Sequence, residues 1–403
     1  MIEIQKGSGN VGTALEVFIA FLKLGLTSFG GPIAHIGYFR TEFVIRRRWI
    51  DEDQFGQLMA ISQFLPGPAS SQLGFSLGLL RAGWLGGLAA FLAFTLPSAI
   101  LLVAFAAALP LLSGPVGQAA VHGLKLVACA VVAEAVLGMS GKLCPDASRK
   151  MLAVLATAAL LLTGSAMAQL SVVALAAMFG ALFLRSSDSC SDVSGILVTY
   201  SARTGAVLIV LFAGLLIGLP LLAGSGSGLL PVAEAFYRAG ALVFGGGHVV
   251  LPLLQDSVVS SGWVSLDQFL AGYGASQAIP GPMFAFSAFL GSVMLPADNA
   301  LLTATTALVF IFLPGFLLVA GVLPFWQAVS HNTAASNAIA GVNAAVVGLL
   351  AAALYDPIFT TGISGPSDLA IALVGFGMLV AWRVSPLLVV LWCVVASVLL
   401  TLV

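Results

Sequence analysis

Charge is what this sequence has least of. Of 403 residues, 8% are Asp, Glu, Lys or Arg and 60% are hydrophobic. A soluble chain carries about a quarter charged residues, so this one cannot cover itself with polar surface, and its solvent is largely lipid. The formal net charge of -1 leaves no basic footprint for a nucleic acid. Cysteine is also scarce. Cys129, Cys144, Cys190 and Cys393 form no CxxC pair, and no His/Cys group has metal-ligand spacing, so they read as packing residues. Neither a metal nor another cofactor is expected. The chain has no HExxH, no GxSxG and no paired-carboxylate motif, which speaks against a membrane-embedded enzyme. Residues 1–10 are short and polar, so no secretory leader is expected.

What the sequence does have is a repeat. The first half reads Phe29-Gly30-Gly31, Trp49, Asp53-Gln54-Phe55, Gln63, Pro66-Gly67-Pro68, Gly78, Leu96-Pro97 and Gly123. The second reads Phe244-Gly245-Gly246, Trp263, Asp267-Gln268-Phe269, Gln277, Pro280-Gly281-Pro282, Gly291, Leu313-Pro314 and Gly341. The order is the same, and the offset stays between 213 and 218 residues. The expected fold is an all-α polytopic membrane protein made of two repeats, residues 1–200 and 226–403, joined by a connecting span at 201–225.

Within each repeat two short helices flank Pro-Gly-Pro, at 52–65 and 70–81 and again at 266–279 and 283–295. At about 1.5 Å per residue each falls short of the ~30 Å hydrocarbon core, so they read as half-helices. Proline ends a helix and glycine permits the sharp turn. The second helix of each pair then starts inside the membrane, with free N–H groups at Ala69–Ser71 or Met283–Ala285 and a partial positive charge suited to an anion. Two such termini, entering from opposite sides, converge near the midplane; a plain proline kink is the simpler reading of either hinge alone. Re-entrant hairpins and broken spans both remain open. Hairpins keep Arg46, Arg47 and Arg48 with the other basic residues as an interfacial anchor.

Thirteen of the fifteen Lys and Arg residues precede residue 204; only Arg238 and Arg383 follow. With hairpins, Lys6, Arg46–Arg48, Arg81, Lys142, Arg149, Lys150, Arg185 and Arg203 share one face, the cytoplasmic one. The connecting span then inverts the second repeat, whose span ends carry Asp256, Asp267, Asp298 and Asp356. This arrangement puts the N-terminus in the cytoplasm and Val403 outside the inner membrane.

Charges inside apolar runs are costly unless paired or functional. Lys23 and Arg238 are 215 residues apart and so equivalent, which makes them candidate ligands for an anion; for Arg238 the alternative is pairing with Glu234, one helical turn away. Lys125 is a further candidate ligand or a snorkelling side chain. Glu134, nine residues on and on the opposite side of the same helix, is a candidate coupling carboxylate. Gln63 and Gln277 offer neutral donors or brace the hinges. Ser70 and Ser71 sit in a half-helix first turn. His35 and His248 follow the Gly-Gly turns as ligands or packing residues.

At Phe29-Gly30-Gly31-Pro32-Ile33-Ala34-His35-Ile36-Gly37, the run from Arg40 to Asp53, Gln63-Phe64-Leu65-Pro66-Gly67-Pro68, and Phe244-Gly245-Gly246-Gly247-His248 with Pro280–Pro282, the sequence resembles the chromate ion transporter family in its long, duplicated form. The resemblance covers nearly the whole chain. It implies chromate efflux conferring resistance, with sulfate as the analogous oxyanion, but supplies no binding residues. Moving a dianion out of a negative interior yields roughly 4.6 kcal/mol at 100 mV, about a 10³-fold gradient, so export needs only the potential, with or without proton antiport. The competing readings are an uptake carrier for sulfate or a related anion, a channel, and an enzyme. The expected partners are the oxyanion and the lipid bilayer, and a homodimer is compatible with the sequence.

Overall fold

The computed structural model describes residues 12–163, 166–184, 198, 200–224, 228–294, 299–330 and 332–402. Lys6, Arg185, Cys190, Asp298 and Val403 lie outside the described residues. Every regular element among the described residues is helical. The first half contains α1 (Ala14–Thr27), α2 (Gly31–Phe39) continued by a π turn (Arg40–Arg46), α3 (Glu52–Phe64), α4 (Ala69–Ala108), α5 (Pro115–Leu143), α6 (Ala147–Thr163) and α7 (Ala166–Phe183). A connecting helix, α8 (Ala202–Ala223), follows. The second half contains α9 (Leu229–Ala241), α10 (Val250–Val258), α11 (Leu266–Ser276), α12 (Phe286–Val293), α13 (Ala300–Val322), α14 (Trp326–Ser330), α15 (Thr333–Ala353), α16 (Thr360–Gly362), α17 (Pro366–Val380) and α18 (Pro386–Leu402).

The chain is a polytopic membrane protein. Among the described residues, five segments are long and apolar enough to cross a bilayer: Ala69–Leu112, Pro115–Leu143, Ala202–Ala223, Ala300–Val329 and Thr333–Gly362. Their outer surfaces are apolar too: on α8, Val207, Val210, Ile217 and Leu221 are exposed, an arrangement that suits lipid and not water.

Two breaks give each half its shape. Gly30 and Gly31, at φ +102° and +75°, turn the chain sharply between α1 and α2. Further on, α4 doubles back at Ala82 and Gly83, the latter at φ +65°. A Cβ built on Gly78 would stand 2.9 Å from the Cβ of Ala90, twelve residues on; in a continuous helix that separation is about 18 Å. The arm 69–81 therefore packs antiparallel to the arm 84–108. Pairs around Pro-Gly-Pro also fold back: the Phe269 and Phe286 rings, on α11 and α12, lie 5.3 Å apart, and Gly272 packs against the Phe289 ring.

A charged cluster gathers the outer ends of these hairpins at one face. Arg81, at the α4 turn, bonds Glu16 at 3.1 Å. The indole of Trp49 donates to Glu16 at 3.1 Å, and Arg81 lies over the Trp49 ring, 5.3 Å from its centroid. Arg40 bonds Glu52 at 2.6 Å, while Arg46 and Arg47 both bond Glu42 at 2.7 Å. Thus the beginning of α1, the end of the π turn, the beginning of α3 and the α4 turn share one level. Arg46 and Arg47 share one counter-charge there, Glu42.

The second half repeats the local chemistry. Asp51 with Gln54 and Ser265 with Gln268 form capping boxes at the starts of α3 and α11. Trp49 N–H donates to Phe43 O at 2.8 Å, and Trp263 N–H to Val258 O at 3.0 Å. Gly25 lets α1 approach the carbonyl of Ala93, 2.7 Å from a Cβ placed there, and Gly240 lets α9 press against the carbonyl of Ile311. The match runs past α13: Gly123 on α5 packs against the Cys393 carbonyl of α18, and Gly341 on α15 against the Ala176 carbonyl of α7, although a short helix, α14, precedes α15. A break at Asp356, with φ -125° and ψ 115°, was not foreseen.

These close approaches have a measurable consequence. Gly240→Ala pushes a methyl into a backbone carbonyl that cannot step aside, so a melting temperature several degrees lower is expected, in line with about 1–3 kcal/mol for an overpacked site. Gly214→Ala, on α8 with nothing within 4 Å, should be neutral or slightly stabilising because alanine favours helix. Thermal unfolding of the detergent-purified variants measures both.

Candidate functional site

Each Pro-Gly-Pro hinge is held by the other half of the chain. Gly67 N–H donates to Val243 O at 2.7 Å, and Gly281 N–H donates to Ser28 O at 3.0 Å. Ser28 and Val243 are 215 residues apart, and Gly67 and Gly281 are 214 apart, so each hinge makes the same bond to the end of the other half's first helix. The packing is reciprocal as well. A Cβ on Gly67 would lie 3.0 Å from Gly315 Cα, and one on Gly281 would lie 2.9 Å from Ser98 Oγ; Gly315 and Ser98 are equivalent positions. Both glycines adopt positive φ, +124° and +103°, a region L-residues seldom enter.

Polar side chains surround this crossing, mostly from the first half. The imidazole of His35 is fully buried. It lies 3.3 Å from Ser28 O through Nε2 and 3.4 Å from Ser70 Oγ through Nδ1, with its edge to the Phe94 ring at 5.2 Å. Ser98 Oγ donates to Thr95 O at 2.9 Å. Gln72 Nε2 donates to Pro66 O at 2.9 Å and Gly315 O at 3.0 Å, tying the first hinge to α13. The first bond within α4 runs from Gln72 N–H to Pro68 O at 2.9 Å, so the amides of Ala69, Ser70 and Ser71 precede the ladder and point toward the hinge. Four buried polar atoms here lack a hydrogen-bond partner among the described residues: Ser28 Oγ, Ser71 Oγ, Gln72 Oε1 and Thr95 Oγ1. Each such group costs about 1–3 kcal/mol unless something meets it.

The expected ligands are distributed differently. Lys23 is exposed on α1, and its field reaches Glu42. Arg238 bonds Glu234 at 2.7 Å, and its field reaches Asp256. The expectation that both cations face one central cavity is therefore corrected. Arg238 is paired within its own helix, whereas Lys23 makes no ion pair among the described residues and Glu42 is taken by Arg46 and Arg47. Charges in a poorly solvated region settle on the nearest counter-charge. Arg238 does line a cavity, with Gln169, Asp256 and Ser257.

Lys125 bonds Asp267 at 2.6 Å, not Glu134, and the pair lines a cavity of about 730 Å³ with His122, Gln118, Gln268 and Ser292. Gln63 is exposed. Gln277 is turned onto its own hinge segment, 3.3 Å from Ser276 Oγ and 3.5 Å from Met283 Sδ. The two glutamines thus do not form a matched donor pair. His248 Nδ1 lies 2.7 Å from Tyr273 Oη, and the charge of Glu134 reaches the same tyrosine. His35, Ser70 and Ser71 are the expected residues that the structure gathers at the crossing. Ser28, Gln72, Thr95 and Ser98 were not anticipated from the sequence, although a signal existed: they are polar residues in an apolar chain, close to repeat landmarks.

The chromate transporter family model matches residues 15–223 and 230–398, nearly the whole chain in two segments. The chain is 30% identical over 375 residues to a chromate transport protein of Pseudomonas aeruginosa, covering 91% of this chain and 87% of that one. It is 29% identical over 391 residues to a probable chromate transport protein of Synechococcus elongatus, covering 92% of each. It is 25% identical over 352 residues to a chromate transport protein of Cupriavidus metallidurans, covering 85% and 82%. No solved structure matches the chain.

Proposed function

The chain belongs to the chromate transporter family, and on that premise we propose that it exports chromate across the inner membrane as a secondary carrier, confers chromate resistance, and takes sulfate as the analogous ion. The observation that carries this reading is the reciprocal contact of the two hinges, Gly67 with Val243 and Gly281 with Ser28. Each hinge sets the start of a half-helix against the end of the other half's first helix, so backbone donors gather near that contact, and a site between two halves suits alternating access.

The halves, residues 1–200 and 226–403, are read as inverted. Tyr200, just before α8, packs its ring on Trp84 at 5.1 Å and donates to Ala320 O at 2.5 Å. Trp84 adjoins the α4 turn, so α8 leaves from the level of the charged cluster. Its 22 residues span about 33 Å, one bilayer, and deliver the second half to the opposite face. The basic cluster makes the first face cytoplasmic, which puts the N-terminus inside and the C-terminus in the periplasm. The membrane potential drives efflux of the dianion. Glu134, with Tyr273 and His248, is the carboxylate group best placed to add proton antiport.

Flux of labelled chromate and sulfate into proteoliposomes of the purified protein tests the reading. A carrier gives saturable uptake, and internal unlabelled chromate accelerates it. Non-saturating flux would indicate a channel, and absence of both ions' transport would sink the proposal.

A further inference from the structure

The repeat is symmetric in backbone and asymmetric in side chains where the hinges meet the opposite half. Ser28, Ser70, Ser71, Gln72 and Thr95 correspond to Val243, Phe284, Ala285, Phe286 and Phe312. His35 corresponds to Val249 or Val250, depending on the offset taken. The second copy has an apolar residue at each of these positions and fills the space with aromatic rings: Phe284 stacks toward Phe312 at 5.8 Å, and Phe286 toward Phe289 at 5.9 Å. A duplicated unit in a bilayer gains stability by making such positions apolar. The first half instead retains hydroxyls that are 0–5% exposed, and three of them, on Ser28, Ser71 and Thr95, have no partner among the described residues.

We infer that the oxyanion is bound by the first half alone, through the neutral donors Ser28, Ser71 and Thr95 and the first-turn amides of α4, with His35 positioning Ser28 and Ser70, and that Lys23 and Arg238 are not its ligands. The inference rests on the export reading above and names the site for it. The geometry supports it in three ways. Ser28 and Ser70 are bridged by one imidazole, so the end of α1 and the start of α4 form one surface. The Gly281 hinge closes that surface from the other half, through Ser28 O and beside Ser98. The formal cations already have carboxylates nearby. A tetrahedral dianion presents four oxygens, each able to accept from a hydroxyl or an amide. Neutral dipoles hold it without burying an unpaired cation when the site is empty, and without a counter-charge that would retain it on the exit side.

The test uses the full-length protein in proteoliposomes, with chromate and sulfate as probes. Ser71→Ala and Ser28→Ala should each raise the KM for both ions by about tenfold or more, the usual size for losing a hydrogen bond to a charged group. Melting temperatures should stay near that of the unmodified protein. Ser71→Thr, which keeps the hydroxyl, should restore most of the affinity, and Gly214→Ala on α8, away from the site, should leave both KM values unchanged. If Ser28→Ala fails to assemble, Ser71→Ala and Thr95→Val carry the same prediction. Unchanged KM in the hydroxyl variants, with transport lost in Lys23→Gln or Arg238→Gln, would overturn the inference while leaving export intact. If the unmodified protein moves neither ion, the export reading itself fails.

Discussion

Gly67→Ala and Gly281→Ala should each reduce chromate transport at least about a hundredfold. Both residues hold positive φ, which is strained for any residue with a Cβ by about 1–2 kcal/mol. The added methyl also has nowhere to go. At Gly67 it meets Gly315 Cα at 3.0 Å and Gln72 Nε2 at 2.9 Å; at Gly281 it meets Ser98 Oγ at 2.9 Å and Phe94 O at 3.2 Å. Backbone atoms of the opposite half cannot yield without moving away from the hinge, and that breaks the N–H···O bond to Val243 or Ser28. Strain, overlap and lost bonds together reach several kcal/mol. The control is Gly262→Ala. Gly262 also has positive φ, +75°, but nothing lies within 4 Å of its Cβ direction. Its equivalent in the first half is Arg48, at φ +51°, so a side chain is tolerated there. Gly262→Ala should keep transport within about twofold and cost roughly 1 kcal/mol of stability. Initial rates in proteoliposomes, normalised to reconstituted protein, distinguish the two classes.

Chromate should accumulate against its gradient under a membrane potential alone, with no pH difference. Each charge moved across 100 mV is worth about 2.3 kcal/mol, so a dianion is worth about 4.6 kcal/mol and supports a gradient of about 10³. In vesicles holding a potassium-diffusion potential negative on the side of departure, the internal-to-external ratio should rise steeply with voltage, near tenfold per 30 mV. Collapse of the potential should abolish accumulation. Dependence on a pH gradient instead, with no voltage response, would indicate electroneutral exchange of the dianion with protons. Glu134→Gln would then be the variant that uncouples transport, because its charge reaches the Tyr273 hydroxyl that contacts His248.

The repeat was legible because its landmarks are residues with backbone duties. Gly30, Gly67, Gly245 and Gly281 adopt positive φ, and Pro66–Pro68 and Pro280–Pro282 end helices. Such demands leave a readable trace whatever the neighbouring sequence. The capping residues Asp51 and Ser265, each three before a glutamine, mark helix starts in the same way. The site was less legible. Formal charge drew attention to Lys23 and Arg238; the four-residue spacing already offered Glu234 as the partner of Arg238, and the structure makes that pair, whereas the nearness of Lys23 to Glu42 becomes apparent only when two helices of a hairpin are laid side by side. Gln63 and Gln277 match in sequence but not in environment, because one hinge exposes its glutamine and the other turns it inward. Ser28 and Thr95 carry no motif; they gained meaning from being buried without partners and from facing apolar equivalents in the other copy. The helix break at Asp356 had no counterpart in the first half to announce it.

The arrangement on which all of this depends is that two halves enter the membrane from opposite faces and meet at their hinges. Arg48 and Ser260 are both exposed and occupy corresponding ends of the two repeats. Single cysteines at these positions, Arg48→Cys and Ser260→Cys, in a cysteine-free background, can be challenged with a membrane-impermeant maleimide in intact spheroplasts and again after permeabilisation. Inverted halves predict that the cysteine at 260 labels in intact cells and that the one at 48 labels only once the membrane is opened. Labelling of both from the same face would contradict the account.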